Sequence, residues 1–291
     1  MNYLELEPEQ NTFYVISADI THRCNMMCSN CYLPNRTIPD IDLARMYDLL
    51  DRLPHRCEIR LLGGEPTLHP KLPEIIHKVR ELGHRPVVLT NGLRLADFKY
   101  AQALYESGLR SVYISFNGVD RDDWYQITDG MKCSEKKRQA LENAVRLNMY
   151  TSLGCIIMKG LNEQAPKRLL GVLRELKGAN IVLRIKNVGQ VGRYSQSEDD
   201  SLTFDELINL VAQQFDVSAE HIQKQNLIHG EVESNSRLFK FPNPSSKSGH
   251  TWVKLTNWHS FDPGNARRGR ITQDFKIAPF TEHVKANEFQ Y

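Results

Sequence analysis

Residues 13–32 read FYVISADITHRCNMMCSNCY. Residues 13–20 are aromatic and β-branched and give way to a polar segment, which is the pattern of a strand. Directly beyond it, Cys24, Cys28 and Cys31 stand in a C-x3-C-x2-C spacing, three thiols within eight residues. A strand that ends in a loop of this kind poses two questions: what surrounds it, and why there are three thiols rather than two or four.

Working outward, the chain alternates. Residues 42–53 have helical periodicity, and 57–64 form a strand ending in two glycines. A helix at 72–82 stops at Gly83, 85–92 is a strand, and a helix at 95–107 stops at Gly108. Residues 109–118 read as a strand, 134–147 as a helix with Ser134 as candidate N-cap, 150–158 as a strand, 166–178 as a helix and 180–189 as a strand. Six strands with helices in the five intervals between them imply parallel pairing through right-handed crossovers. Six units do not close an eight-unit barrel. The expected fold is therefore α/β, a partial (β/α)6 TIM-like barrel that is curved and open. Ligands of such folds sit at the C-terminal strand ends. The cysteine loop, GGEP, TNG, FNG, KGLNE and VGQVGR all fall there.

After residue 190 the alternation stops. Residues 193–201 are polar and linker-like, 204–215 form one amphipathic helix, and the remainder is rich in turn residues and aromatics. The expected organisation is a core over 1–192 and a C-terminal, substrate-capping extension over 193–291.

The bulk numbers exclude more than they assign. The chain has 291 residues, 41% hydrophobic and 25% charged, with a net charge of +2. Such a balance argues for neither nucleic acid nor a membrane surface as partner. The acidic N-terminus has no signal-peptide pattern, and no apolar run is long enough to span a bilayer. Of the six cysteines, half lie in one loop and none lies beyond Cys155. Such clustering favours metal binding in a reducing compartment, so a cytoplasmic location is expected. Cys57 and Cys155, in apolar surroundings, read as small buried hydrophobes. Cys133, after a glycine-containing turn, is expected to be partly exposed.

The loop's chemistry narrows the options. A structural zinc site wants four ligands, and no second knuckle is in sight; His22, His55 and His69 are the nearest other candidates. His22 reads as a polar loop residue rather than as a fourth ligand. An electron-transfer ferredoxin would supply four cysteines per cluster. Three thiolates suit a [4Fe-4S] cluster with one iron left open to a substrate or cofactor. A non-catalytic iron–sulfur or zinc protein is the alternative from a different class.

The spacing and its surroundings resemble the radical S-adenosylmethionine (radical SAM) superfamily, over about residues 14–192. LLGGEPTLHP (61–70) looks like the family's GGE motif, whose backbone receives the methionine amino group of S-adenosylmethionine. LTNG (89–92) and ISFNG (114–118) resemble the third and fourth strand ends, and IIMKGLNE (156–163) the adenine-contacting fifth. The resemblance implies metal ligands Cys24, Cys28 and Cys31, and cofactor contacts at Gly63, Gly64, Glu65, Thr90, Asn91, Ser115, Asn117, Lys159 and Asn187. It also implies reductive cleavage of S-adenosylmethionine to a 5′-deoxyadenosyl radical that abstracts hydrogen from substrate, with a flavodoxin- or ferredoxin-like electron donor. One departure stands out. Where many members carry an aromatic residue just before the third cysteine, this chain has Asn30, with Tyr32 just after.

The core most resembles the molybdopterin-synthesis and pterin-modifying branch. With no cysteine after 155, the second cluster of that branch's molybdopterin enzyme is not expected; with only about a dozen residues before the first strand, a preceding cobalamin-binding domain is not expected either. Trp252, Lys254, Trp258, His259, Arg193 and Arg268 are expected to line the site for a small, anionic or nucleotide-like substrate. Aromatic packing beside a solvated basic loop explains the same residues. Modification of a peptide or protein side chain is the alternative activity.

Overall fold

The computed structural model describes residues 4–33, 35–189, 201–224, 236–259 and 268–286. The expected alternation is present. It runs β1 (Val15–Thr21), α1 (Leu43–Asp51), β2 (Glu58–Gly63), α2 (Leu72–Glu81), β3 (Arg85–Thr90), α3 (Phe98–Glu106) and β4 (Ser111–Ser115). It continues with α4 (Asp122–Thr128), α5 (Ser134–Arg146), β5 (Tyr150–Ile157), α6 (Ala165–Glu175) and β6 (Ile181–Asn187). The six strands pair in parallel and in sequence order.

The sheet does not stop at six strands. After α7 (Phe204–Phe215) and α8 (Ala219–Gln223) come β7 (Ser236–Pro242), β8 (His250–Thr256), β9 (Arg268–Ile271), β10 (Ile277–Pro279) and α9 (Phe280–Ala286). The order is β10-β9-β1-β2-β3-β4-β5-β6-β8-β7. The C-terminal region therefore adds two strands to each edge. β8 lies parallel to β6 and β9 parallel to β1. Each outermost strand folds back antiparallel on its neighbour, covering edges that six strands would leave open.

Two faces distinguish the strands. Ile16, Ile59, Val112, Leu183 and Val253 point outward and are buried against the helices. Between them alternate Ser17, Arg60, Tyr113, Arg184 and Lys254. A closed eight-stranded barrel would fill its interior with Val, Ile and Leu. Here the period-two pattern leaves a polar and charged inner wall.

Three local expectations change. Helix α4, in the β4–β5 interval, has no counterpart in the sequence reading. Ser134 does not cap α5: Cys133 occupies the cap position without a side-chain bond, and the Asp122 carboxylate of α4 accepts the Ser134 N–H at 2.9 Å. Cys133 is buried rather than partly exposed, because Met26 and Tyr125 pack against it. Cys57 and Cys155 are buried as expected.

Candidate functional site

The rim is built around one carboxylate. Glu65 is 1% exposed. Its Oε1 accepts from the Thr67 N–H (3.0 Å), the Thr67 hydroxyl (2.6 Å) and the Thr90 hydroxyl (2.6 Å), and its Oε2 from the Asn91 N–H (2.7 Å). The strand ends of β2 and β3 are thereby fastened together. The two glycines before it serve close approach. A Cβ on Gly63 would lie 2.1 Å from the Thr21 carbonyl oxygen, and one on Gly64 2.3 Å from that of Arg23. With no Cβ there, the Gly64 N–H reaches the Thr21 carbonyl (2.8 Å) and the Glu65 N–H that of Arg23 (2.7 Å).

The cysteine loop rests on this frame. Asn91 Nδ2 donates to Asn25 Oδ1 at 2.8 Å. On the other side, the Ser29 N–H donates to the Thr128 carbonyl at the end of α4 (3.0 Å). Beneath Cys28 lies an ion pair that the sequence reading missed. Lys137 Nζ donates to Asp129 Oδ2 (2.9 Å) and to the Ser115 carbonyl (2.8 Å), with both side chains essentially inaccessible. Asn117 completes the layer, donating to Asp129 Oδ1 (2.8 Å) and accepting the Ile156 N–H (3.0 Å). No sequence signal marks Lys137 or Asp129, since both read as ordinary polar positions flanking a helix start.

Cys24, Cys28 and Cys31 are free and partly buried. Burial raises the pKa of Cys24 and Cys28, and each of these two also feels the charge of Cys31. Among the described residues, no three His, Cys, Asp or Glu side chains already converge as a metal-holding group. The donor set consists of three soft thiols on one loop. The nearest imidazole, His22, is buried and engaged through Nδ1 with the Asn35 carbonyl (3.2 Å). This set suits an iron–sulfur cluster rather than a hard cation.

The remaining expected contacts divide. Thr90 is spent within the rim: its hydroxyl donates to Glu65 and accepts the Gly92 N–H (2.9 Å). Asn187 is buried and clasps the C-terminal region. Its Nδ2 donates to the Leu202 carbonyl and to Asn257 Oδ1 (2.9 Å each), and its Oδ1 accepts the Trp258 N–H (2.7 Å). Lys159 is exposed and pairs with Glu206 of α7 at 3.8 Å. Tyr32 turns away from the loop, donating to Asp19 Oδ1 (3.3 Å) and meeting Phe280 edge-on at 6.3 Å.

The inner wall below the rim is cationic. Arg184 and Lys186 lie over the Tyr113 ring, each 5.9 Å from its centroid, and Lys186 also stacks on Trp258 at 4.3 Å. A Cβ at position 154 would fall 2.0 Å from the Tyr113 hydroxyl oxygen, so Gly154 makes the room for that phenol. Burial raises the Tyr113 pKa against the pull of Arg184, Arg60 and Arg268. Glu58 serves Arg60 (2.8 Å) and also pairs with Arg85. Among the described residues, the side-chain hydrogen bond of Arg184 is to the Ser152 hydroxyl, at 3.2 Å. Burial and then the charge of Arg60 lower its pKa. A small pocket in the N-terminal half of the strands is lined by Glu58, Arg60, Arg85, Tyr113, Tyr150 and Arg184.

The expected substrate lining is only partly assembled. Lys254 lies in register with Arg184. His259 Nε2 meets the Ser201 hydroxyl at 2.5 Å, near Trp258. Trp252 is not with them. It pairs with Val182 at the opposite end of β6 and is exposed, with Lys240 4.9 Å from its ring centroid. Arg193 lies outside the described residues. Arg60 and Arg184, which the sequence reading passed over, were marked by the alternation in EIRL and RIKN.

Comparison with known proteins identifies the family. The model described as the Radical SAM superfamily matches residues 19–173, more than half of the chain. A 7,8-dihydro-6-hydroxymethylpterin dimethyltransferase of Methanocaldococcus jannaschii is 26% identical over 219 residues, 71% of this chain and 43% of that protein. A GTP 3′,8-cyclase of Staphylococcus carnosus is 25% identical over 218 residues, 69% of this chain and 62% of that protein. The chain thus spans less than two thirds of either relative. Both are in the branch that the sequence resembles. Among solved structures, Streptococcus suis SuiB superposes with a TM-score of 0.63 at 14% identity, over 94% of this chain and 61% of that one. Native anSMEcpe with bound AdoMet and a peptide superposes with a TM-score of 0.53 at 18% identity, over 69% and 59%. The second likeness, like the first, establishes the fold. No described helix is long and apolar enough to cross a membrane. Matched over its strand–helix core, the chain belongs to the radical SAM superfamily, enzymes that use a [4Fe-4S] cluster and S-adenosylmethionine.

Proposed function

We propose that Cys24, Cys28 and Cys31 hold the [4Fe-4S] cluster, and that the enzyme acts on a small anionic, nucleotide-like molecule seated against the inner wall. The observation that carries the substrate class is Arg184. Among the described residues it is a guanidinium hydrogen-bonded to one hydroxyl, repelled by Arg60 and lining a pocket. Glu58, whose charge also reaches Arg184, is already paired with Arg60 and Arg85, and a phosphate or carboxylate of the substrate supplies the missing charge. The names of the curated relatives, a pterin dimethyltransferase and a GTP 3′,8-cyclase, fit such a ligand.

When bound, the cluster supplies the electron that cleaves S-adenosylmethionine, and a flavodoxin- or ferredoxin-like protein of a reducing cytoplasm is the proposed source. This chain's residues do the positioning. Gly63, Gly64 and Glu65 bring the β2 rim against the cysteine loop. Thr90, Asn91 and Asn117 hold the neighbouring strand ends, and Ser115 anchors Lys137 beneath Cys28. Asn187 sets Trp258 at the mouth, where Lys186, Lys254 and His259 orient the anion, whereas Arg268 pairs with Val15 at the opposite end of the strands. The inner wall and the strands added at both edges keep water from the reacting centre.

The test is label transfer. Reconstituted enzyme, dithionite and S-adenosylmethionine are incubated with ribose-deuterated GTP and related nucleotides. Deuterium in 5′-deoxyadenosine from an anionic nucleotide, lost in Arg184→Met, is the expected result. Label transfer from peptides, with none from nucleotides, would overturn the substrate class.

A further inference from the structure

The two ends of the cysteine loop differ in charge. Beneath Cys28, Lys137 is matched by Asp129 at 2.9 Å. Beside Cys31 stands Arg36, whose Nη2 donates to the Cys31 Sγ at 3.1 Å. Its Nε and Nη1 are buried and have no hydrogen-bond partner. No carboxylate among the described residues lies within ion-pair distance of it. The nearby ones are engaged elsewhere: Asp40 with Arg23 (2.6 Å) and His69 (3.6 Å), and Asp19 with Arg270 (2.6 Å). The charge of Arg36 also reaches Cys24 and His22.

A guanidinium left with buried, unfilled donors wants an anion. Among the described residues, the acceptor it already reaches is a cysteine sulfur. Hydrogen bonds to cluster sulfurs and nearby positive charge favour the more negative, reduced state of an iron–sulfur centre. We propose that Arg36 is the positioning residue for the Cys31 corner of the cluster, where its N–H···S bond and its uncompensated charge raise the cluster's reduction potential. The proposal rests on the assignment of the three cysteines as ligands. It concerns one electron delivered to the cluster from dithionite through mediators, with no bond made or broken.

The test is an EPR-monitored redox titration of the anaerobically reconstituted full chain, with iron and sulfide content measured in parallel. Wild type, Arg36→Lys and Arg36→Gln are compared. The expected result is a midpoint shifted to more negative potential in Arg36→Gln and a smaller shift in Arg36→Lys, at equal iron content. If Arg36→Gln loses iron while remaining folded by circular dichroism, Arg36→Lys must restore the iron for the proposal to stand. A midpoint and EPR spectrum unchanged in Arg36→Gln overturn it. So does an Arg36→Lys protein that is as impaired as Arg36→Gln, which would make the role one of shape. A wild type that takes up no cluster would instead overturn the ligand assignment.

Discussion

At the strand-end rim, the Glu65 carboxylate takes four hydrogen bonds from three residues on two strand ends. Elsewhere on the same sheet, on the inner wall, the Arg184 guanidinium has one hydroxyl as hydrogen-bond partner among the described residues. The rim spends its polar groups on one another, as a frame must if it is to hold a loop in place without a ligand. The wall leaves a charge under-compensated, which is what a binding surface does when the ligand completes it. On the proposed reading, a charged group serves structure in one place and recognition in the other. Counting partners tells the two apart, whereas counting charged residues does not.

The contrast can be broken by substitution. The largest effect is expected at Glu65→Ala, which strands buried donors on Thr67, Thr90 and Asn91. Unfolding in urea should show a loss of about 4 kcal/mol, with the bound iron lost as the loop loosens. A loss under about 1 kcal/mol would mean that the rim is not framed by this carboxylate. Arg184→Met should do the reverse. Stability should stay within about 1 kcal/mol of wild type or rise, since a poorly matched cation is exchanged for an apolar chain. Affinity for pyrophosphate, measured by calorimetry, should fall about tenfold or more. If Arg184→Met destabilises as much as Glu65→Ala, the wall is structural and the contrast fails. The smallest effect belongs to Lys159→Ala. Lys159 pairs with Glu206 in the open at 3.8 Å, so stability should change by no more than about 0.5 kcal/mol. Any larger change in the affinity for S-adenosylmethionine would identify a cofactor contact that the ion pair conceals.

Much of this was legible in the sequence, for physical reasons. The strand–helix periods located all six core strands, because hydrophobic periodicity reflects burial directly. The cysteine spacing and GGEP marked the rim, because close backbone approach leaves only glycine there. The edge strands β7–β10 were missed because short strands among turn residues carry little periodicity, and because their pairing partners lie far away in sequence. Trp252 and Trp258 were read as one lining because they are close in the chain. The strand between them puts Trp252 at the far end of the barrel. Asp129 and Lys137 gave no signal, since burial of an ion pair is a tertiary outcome. Arg60 and Arg184 did give one: charges alternating with core residues within a strand mark a polar inner wall.

The central claim is that three cysteines on a framed loop support reductive cleavage of S-adenosylmethionine. The most direct measurement is 5′-deoxyadenosine released by the anaerobically reconstituted full chain with dithionite and S-adenosylmethionine, beside Cys24→Ala, Cys28→Ala and Cys31→Ala. The account predicts product from the wild type and none above background from each variant. An iron-loaded wild type that releases no more than the Cys24→Ala protein would contradict it.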